Sequence, residues 1–270
     1  MEARPIVKWV GGKRHLLPEL LRNIPENYNR YFEPFLGGGA LFFALRPGDA
    51  CISDGNKELI NSYRVVKDHV HELIEDLKRH RNSEEYFLKI RNIDRDESYG
   101  HLSDVQRASR FLYLNKTCFN GLYRVNSLGQ FNVPFGHYKN PRIVDAENLI
   151  SCSLLLRNAE IRHADFSEIL KHVRRGDFVY FDPPYVPLSD TSNFTSYTKD
   201  GFDRDMQCKL ARVCDTLHTM GVRFLLSNSD TELVHELYRR YTVKRVFAPR
   251  FVNACAEGRG KIAEVLVRNY

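Results

Sequence analysis

Residues 177–185, Asp-Phe-Val-Tyr-Phe-Asp-Pro-Pro-Tyr, join a short apolar run to a rigid polar turn. The run from Asp177 to Phe181 predicts a buried strand. The two prolines that follow fix φ and remove two backbone donors, so the turn is stiff and its carbonyls are predicted to be unpaired. Ligands of α/β folds bind at the carboxyl ends of strands, so Asp182 is expected at a binding site.

The turn offers two hydrogen-bond acceptors beside an aromatic ring. The Asp182 carboxylate and the Pro183 carbonyl suit the two hydrogens of an NH2 group, and Tyr185 supplies a flat face for a planar ring. An aromatic amine is a poor nucleophile because its lone pair is delocalised, and two acceptors would pull its nitrogen towards a tetrahedral form. We therefore predict Asp182, Pro183 and Tyr185 as catalytic residues. The four residues alone also fit a proline turn after a strand, with a helix-capping aspartate.

A second strand, predicted from Arg30 to Phe35, runs into the turn Leu36-Gly37-Gly38-Gly39. Glycines let the backbone approach a ligand closely. A helix over Ala40–Leu45 and a strand over Ala50–Ser53 follow, and Asp54 ends that strand. An acid at this place commonly holds ribose hydroxyls, although a helix-capping aspartate is the alternative. The order predicts a nucleotide-type α/β unit, and the absence of a GxxxxGK[ST] loop argues against an NTPase.

The middle of the chain carries a different pattern. Apolar residues fall at helical spacing from Leu59 to Leu77, and Val105 to Leu114 predicts another helix. A polar stretch with glycines and aromatics, Phe119 to Tyr138, comes next. We interpret residues 57–144 as an inserted, mostly helical lobe between two segments of an α/β domain, residues 1–56 and 145–270.

The α/β pattern resumes near Ala159 and continues to the end of the chain. Further helices are predicted over His15–Asn23, over Asp203–Met220 with Asp203 as its N-cap, and over Thr231–Arg240. Further strands are predicted over Arg223–Ser227, Thr242–Ala248 and Ile262–Arg268, the last two paired across a basic, glycine-bearing loop.

Composition indicates a folded, mildly basic protein. The 270 residues include 43% hydrophobic and 27% charged side chains and carry a net charge of +6, which permits a polyanionic partner without requiring one. The six cysteines form no CxxC pair and no zinc spacing, which predicts reduced thiols and no metal. With no signal-peptide pattern and no apolar run of about 18 residues, we expect a cytoplasmic protein without a membrane span.

Seven motifs in one order carry a resemblance to a known family. They are Lys8-Trp9-x-Gly11-Gly12-Lys13, Glu33-Pro34-Phe35-x-Gly37-x-Gly39, Asp54, Leu112-Tyr113-Leu114-Asn115, Phe131-Asn132-Val133-Pro134-Phe135-Gly136, Asp182-Pro183-Pro184-Tyr185 and Asn193-Phe194-Thr195-x-Tyr197. The chain resembles the Dam-type adenine-N6 DNA methyltransferases of the alpha group, which act on GATC, and the match runs nearly end to end. The resemblance implies a Rossmann-like, S-adenosylmethionine-dependent methyltransferase fold with an inserted, mostly helical DNA-recognition domain.

The resemblance also implies roles for individual residues. Contacts to S-adenosylmethionine are implied for Trp9, Lys13, Phe35, Gly37, Gly39, Asp54, Asp165, Phe166 and Asp182. Contacts to DNA are implied for Lys8, Phe119, Asn120, Leu122, Arg124, Pro134, His137 and Tyr138. Arg124 would read a guanine edge, where a guanidinium can bond O6 and N7 together, and Lys8 would contact the first guanine. Asn120 or Phe119 would fill the space that the flipped adenine leaves, and residues 189–197 would close over the base.

The expected reaction is direct methyl transfer to adenine N6 in double-stranded DNA, by a monomer of bacterial or phage origin. Four features depart from the family pattern. His137 stands where arginine is frequent, Phe119 replaces a frequent tyrosine, Gly38 stands where alanine is common, and the loop Arg250–Lys261 is basic but not close in sequence. These departures affect fine specificity more than the reaction.

Other functions stay open at this point. The N4 amine of cytosine has similar geometry, and an adenine in RNA is a further substrate to consider. A family preference for serine in place of Asp182 among cytosine-N4 enzymes argues against the first. A DNA-binding regulator without catalysis is a third possibility, and the intact Trp9, Lys13 and Asp54 argue against it.

Overall fold

One mixed sheet organises the protein. The computed structural model describes residues 3–185, 202–249 and 261–270. Within these residues the sheet has seven strands in the order β3-β2-β1-β4-β5-β7-β6. Neighbouring strands among β1 to β5 pair in parallel, and β7 is antiparallel to both β5 and β6. The strands are β1 Tyr31–Glu33, β2 Ala50–Asp54, β3 Ala159–His163, β4 Phe178–Phe181, β5 Arg223–Ser229, β6 Thr242–Pro249 and β7 Lys261–Arg268.

Helices flank the sheet and also make up much of residues 57–144, the stretch that we predicted to be an inserted lobe. They are α1 Leu17–Arg22, α2 Ala40–Leu45, α3 Lys57–Asp68, α4 Val70–Leu77, α5 Glu84–Asn92, α6 Asp104–Thr117, α7 Ala146–Leu156, α8 Arg204–Thr219 and α9 Glu232–Leu237. Asp203 caps α8 as predicted, since its carboxylate accepts from the Met206 backbone N–H at 2.9 Å. The α/β, Rossmann-like prediction is confirmed.

Two apolar cores cover the two faces of the sheet. Tyr180 faces the core that contains residues of α1 to α4, α6 and α7, whereas Val179 and Phe181 face the core that contains residues of α8 and α9. Side chains of a strand alternate between faces, so β4 is buried on both sides. The carboxyl end of β4 is therefore held rigidly from both faces of the sheet.

The apolar run from Leu59 to Leu77 forms two helices, because His69 leaves the helical region with φ −133°. Residues of α3 and α4 share an apolar core with sheet residues. A separate cluster centred on Phe87, Tyr113 and Phe131 lies within the inserted lobe. The division at residues 57 and 144 stays a prediction.

Some strands and helices begin or end at other residues than predicted, because a proline or a glycine turn interrupts them. β1 covers only Tyr31–Glu33, because Pro34 and the glycine turn follow at once. The predicted helix from His15 to Asn23 is a 3₁₀ turn, Lys13–His15, followed by α1 with Pro18 in its first turn. The pairing of the last two strands is confirmed.

Two general features agree with the composition. The cysteines in the described ranges carry free thiols: Cys51, Cys118, Cys152, Cys208 and Cys214. No helix in the part of the chain that the structure describes is both long and apolar enough to cross a membrane.

Candidate active site

Three acidic side chains end neighbouring parallel strands at one edge of the sheet. Glu33 ends β1, Asp54 ends β2, and Asp182 follows β4 directly. Glu33 is buried and accepts a hydrogen bond from the Tyr31 hydroxyl at 2.7 Å. Burial raises the pKa of Glu33 to about 8, with a further contribution from the Asp182 charge, while the Tyr31 bond opposes the shift. Burial thus favours the neutral acid form of Glu33, and the other two carboxylates are the candidate ligand groups.

Asp182 is fixed by partners from two distant parts of the chain. The Lys13 ammonium lies 3.0 Å from Asp182 Oδ1, and the Ser227 hydroxyl donates to the same oxygen at 3.0 Å. Lys13 is nearly buried and also donates to the Gly11 carbonyl at 2.7 Å. Burial raises the pKa of the Asp182 carboxyl, and Lys13 and Ser227 oppose that shift. Both of these contacts fall on Oδ1, so within the part of the chain that the structure describes Oδ2 is the candidate oxygen for a ligand.

The ring of Tyr185 lies beside this ion pair. Lys13 Nζ is 4.3 Å from the ring centroid of Tyr185, a cation–π distance. The Tyr185 hydroxyl donates to Glu264 Oε2 at 2.5 Å. The sequence prediction did not include Glu264. The sequence does contain an indication of its role. Glu264 is an acid within the apolar run Ala263-Glu264-Val265-Leu266-Val267 of β7, where a charge is costly unless it has a partner.

The second proline of the turn uses its carbonyl, which corrects the prediction that both carbonyls are unpaired. Gln207 Nε2 on α8 donates to the Pro184 carbonyl at 3.1 Å. Asn228 in turn donates to Gln207 Oε1 at 3.1 Å, and both amides are buried. The network holds Pro184 against α8, so Pro183 is the residue of the pair that is proposed to face a substrate.

The glycine turn and Asp54 form one unit. Asp54 accepts from the Gly37 N–H and from the Asn56 N–H, both at 2.9 Å. Gly37 has φ +48°, and a Cβ there would lie 2.6 Å from Trp9 Cδ1. Burial raises the pKa of Asp54, and the two N–H groups oppose this. The structure thus brings together Trp9, the glycine turn and Asp54, and their contacts to a cofactor stay a prediction.

Phe35 and Phe166 meet on the other side of the turn. Their rings are stacked at 5.1 Å between centroids, and Phe202 meets Phe35 edge-on at 5.6 Å. The neighbouring Asp165 carboxylate is held by Lys209 on α8 at 2.7 Å. Phe166 is therefore buried against Phe35 in the apolar core, whereas Asp165 is engaged in an ion pair.

Residues 119–138 form a turn and hairpin, here named the recognition hairpin. The Phe119 N–H donates to the Pro134 carbonyl at 2.9 Å, and Cys118 pairs with Phe135. Arg124 Nε donates to Asn132 Oδ1 at 2.7 Å across the hairpin. Phe119 is half exposed, but Leu122 packs in part against the apolar cluster of the inserted lobe. Phe119 and Arg124 are accessible to a partner, and Leu122 is partly used in packing.

The N-terminal loop, residues 8–13, connects the recognition hairpin to the catalytic end of the sheet. Buried Asn115 bonds both the N–H and the carbonyl of Lys8 at 2.9 Å, and it donates to the Gly121 carbonyl at 2.9 Å. Lys8 Nζ lies 4.6 Å from the centroid of the Tyr138 ring. Lys8 thus lies at the hairpin, and Lys13, at the other end of the same loop, lies at Asp182.

The remaining predicted positions are only partly described. His137 lies 4.9 Å from Phe135, ring to ring, with φ +51°, and Asn120 adopts φ +55°. Residues 189–197 and the loop residues 250–260 lie outside the described residues. Among the described residues, no three His, Cys, Asp or Glu side chains are grouped to hold a metal ion. The expected absence of a metal stays a prediction.

Comparison with known proteins identifies the family. Residues 9–250 match the family described as D12 class N6 adenine-specific DNA methyltransferase. The chain is 51% identical to "Type II methyltransferase M1.LlaDCHI" of Lactococcus lactis subsp. cremoris, over 99% of this chain and 95% of that protein. It is 42% identical to "Type II methyltransferase M.MjaIII" of Methanocaldococcus jannaschii, over the full length of both. It is 36% identical to a "DNA adenine methylase" of Vibrio cholerae, over 97% of this chain and 95% of that protein. The chain therefore belongs to the D12 class of N6 adenine-specific DNA methyltransferases.

Proposed function

We propose that this adenine-specific DNA methyltransferase modifies the adenine of GATC in double-stranded DNA, by base flipping and direct transfer. One observation carries the proposal. The Asp182 carboxylate is held by Lys13 and Ser227 beside the Tyr185 ring, on a proline turn at the carboxyl end of β4. This arrangement presents fixed acceptors next to a stacking face, which is what a flipped adenine requires.

The residues around the glycine turn suit S-adenosylmethionine, the methyl donor of the family. Gly37 has no room for a Cβ, and Asp54 is held by backbone donors with lone pairs left for hydroxyl groups. Trp9 on one side and Phe35 with Phe166 on the other supply apolar surfaces for the adenosyl group. When bound, S-adenosylmethionine supplies a methyl group activated by its positive sulfur.

Asp182 and Pro183 act on the amine of the flipped base. The N6 amine donates one hydrogen bond to the Asp182 carboxylate and one to the Pro183 carbonyl, which directs the nitrogen lone pair out of the ring plane. Nitrogen must then lose one proton when it gains a methyl group, and the Asp182 carboxylate is placed to accept that proton. Tyr185 stacks on the adenine ring and keeps N6 within hydrogen-bond distance of these two acceptors. No covalent bond between the protein and DNA is needed.

The recognition hairpin is proposed to supply sequence specificity. The amine of a base inside a duplex cannot reach a methyl donor held in a protein pocket, so the base must leave the stack, at a cost of a few kcal/mol. Phe119, with 51% of its surface exposed, and Asn120 would fill the gap that the base leaves. Arg124 would read guanine, and Lys8, Pro134, His137 and Tyr138 would complete the contacts. Leu122 would contribute through the part of its side chain that is not packed.

A modification role within a restriction system is favoured over a solitary role. The relatives named Type II methyltransferase are 51% and 42% identical to this chain, whereas the "DNA adenine methylase" of Vibrio cholerae is 36% identical. We propose that the protein acts as a monomer in the cytoplasm and protects GATC sites from a cognate nuclease.

Restriction digestion of DNA from cells that express the protein tests the proposal. Two nucleases are used, one that cuts GATC only when its adenine is unmethylated and one that cuts only when it is methylated. We expect resistance to the first and cleavage by the second. Unmodified GATC in the presence of folded protein would overturn the proposal. Modification at cytosine N4, or of RNA only, would support the corresponding alternative.

A further inference from the structure

We infer that Glu264 is a positioning residue for the methyl-transfer reaction, which it serves by fixing the ring of Tyr185. The inference rests on the proposed role of Tyr185 as the stacking surface for the flipped base. It is carried by the 2.5 Å hydrogen bond from the Tyr185 hydroxyl to Glu264 Oε2. Glu264 belongs to none of the motifs that identify the family.

The reversed direction of β7 explains how a residue near the end of the chain reaches this site. Glu264 lies opposite Ser229 at the carboxyl end of β5. Because β7 is antiparallel to β5, the first half of β7 lies at the sheet edge where Asp182 and Tyr185 follow β4. Strand alternation places Glu264 on the same face as Leu266, which belongs to the same core as Tyr180.

The hydrogen bond has the length that is expected of a charge-assisted bond. Burial and the Asp182 and Glu264 carboxylates raise the pKa of Tyr185 well above its ordinary value, so the hydroxyl stays protonated and donates. A bond from a phenol to a carboxylate at this distance is short and directional. It restricts rotation of the ring about χ1 and χ2. A ring that stacks on a base needs this restriction to stay in one orientation.

Lys13 lies near both the Tyr185 ring and the Asp182 carboxylate. Its ammonium lies 3.0 Å from Asp182 Oδ1 and 4.3 Å from the Tyr185 ring centroid. Burial raises the pKa of Glu264, while the positive charge of Lys13 and the Tyr185 hydroxyl oppose the shift. The positive charge of one lysine thus acts on two partly buried carboxylates, and the Tyr185 hydroxyl bonds to one of them, Glu264. Replacing Glu264 is expected to release the ring without removing a group that contacts the substrate.

A double-mutant cycle between Tyr185→Phe and Glu264→Ala tests the inference. The single-turnover methylation rate and the dissociation constant for S-adenosylmethionine are measured for each variant and for the double variant. We expect Glu264→Ala to lower the rate about 10- to 100-fold, the value of a charge-assisted hydrogen bond, with cofactor affinity changed by less than about threefold. In the Tyr185→Phe background the same replacement should have little further effect.

Two controls keep the outcome interpretable. Glu264→Gln retains an acceptor for the hydroxyl, so its rate should recover to within about tenfold of the parent. Glu160→Ala removes an acid from β3 at the far edge of the sheet, and its rate should equal that of the parent. Equal losses from Glu264→Ala in the presence and absence of the Tyr185 hydroxyl would overturn the inference. The base that the parent modifies is identified separately, so an error in the proposed substrate would show there, while the cycle still measures the coupling.

Discussion

The catalytic end of the sheet and the recognition hairpin hold their functional residues in opposite ways. At Asp182 the polar groups are buried or nearly so, and their partners come from sequence-distant elements, namely Lys13, Ser227 and Glu264. In the hairpin Phe119 and Arg124 are exposed, and Arg124 has a local partner in Asn132. Buried, multiply bonded groups are costly to rearrange, whereas exposed ones can adapt to a partner.

This difference in burial and partners means that one region serves the methyl-transfer reaction and the other serves the choice of DNA site. The methyl-transfer reaction depends on a preorganised cluster of polar groups, and displacing these groups lowers the reaction rate. Site choice depends on residues that reach a partner and whose replacement changes contacts at single bases. The N-terminal loop is the structural link between the two regions, since Lys8 lies at the hairpin and Lys13 at the catalytic end.

The largest effect is expected at the catalytic end. Asp182→Asn keeps the shape of the side chain but removes the charge that pairs with Lys13 and polarises the amine. We expect the single-turnover rate to fall about 100- to 1,000-fold, with DNA affinity within about threefold of the parent. Ser227→Ala removes only one bond to Asp182 and should cost about tenfold. A fully active Asp182→Asn variant would contradict the proposed mechanism.

A residue that joins the two regions should affect both. Asn115→Leu leaves the N–H and carbonyl of Lys8 and the Gly121 carbonyl without their partner. We expect the free energy of unfolding to fall by about 3 kcal/mol, together with losses of both DNA affinity and methylation rate. Urea denaturation and binding titrations measure this. Loss of affinity with an unchanged rate would show that the loop does not couple the regions.

A smaller and more selective effect is expected at Arg124. Arg124→Ala should lose about 1–3 kcal/mol of discrimination at one base pair of the site while the adenine remains the target. Competition between duplexes that differ at single positions measures it. Arg142→Ala, which removes an exposed arginine outside the hairpin, is the matched control. A uniform drop on every duplex would mean that Arg124 contacts only phosphate.

A separate effect, on stability rather than on activity, is a pH dependence that we expect from Glu33. Its pKa in the folded protein, about 8, lies above the ordinary value of 4.5. The folded state therefore binds the proton more tightly, and this stabilisation is complete below pH 4.5 and lost as the pH rises towards 8. The slope is at most about 1.4 kcal/mol per pH unit. Denaturation between pH 5 and 8 should show a flatter profile in Glu33→Gln, whereas Glu84→Gln on the exposed surface of α5 should keep the parent slope.

Local sequence patterns predicted the elements that local chemistry determines. The strand before Asp182, the glycine turn, the Asp203 cap and the paired terminal strands follow from short patterns, and the structure has them. The break at His69 was not predicted, because the apolar spacing continues through it. The partners of Asp182 were not predicted either, because they depend on contacts between Lys13, β5 and β7 that no local pattern encodes.

The most direct test of the separation between reaction and site choice is methylation-aware sequencing of duplex DNA exposed to the purified protein and to Arg124→Ala. We expect N6-methyladenine within GATC for the parent. For the variant we expect N6-methyladenine in a broadened set of sites. Methyl groups on cytosine N4, or a variant that changes the modified base rather than its context, would contradict the account.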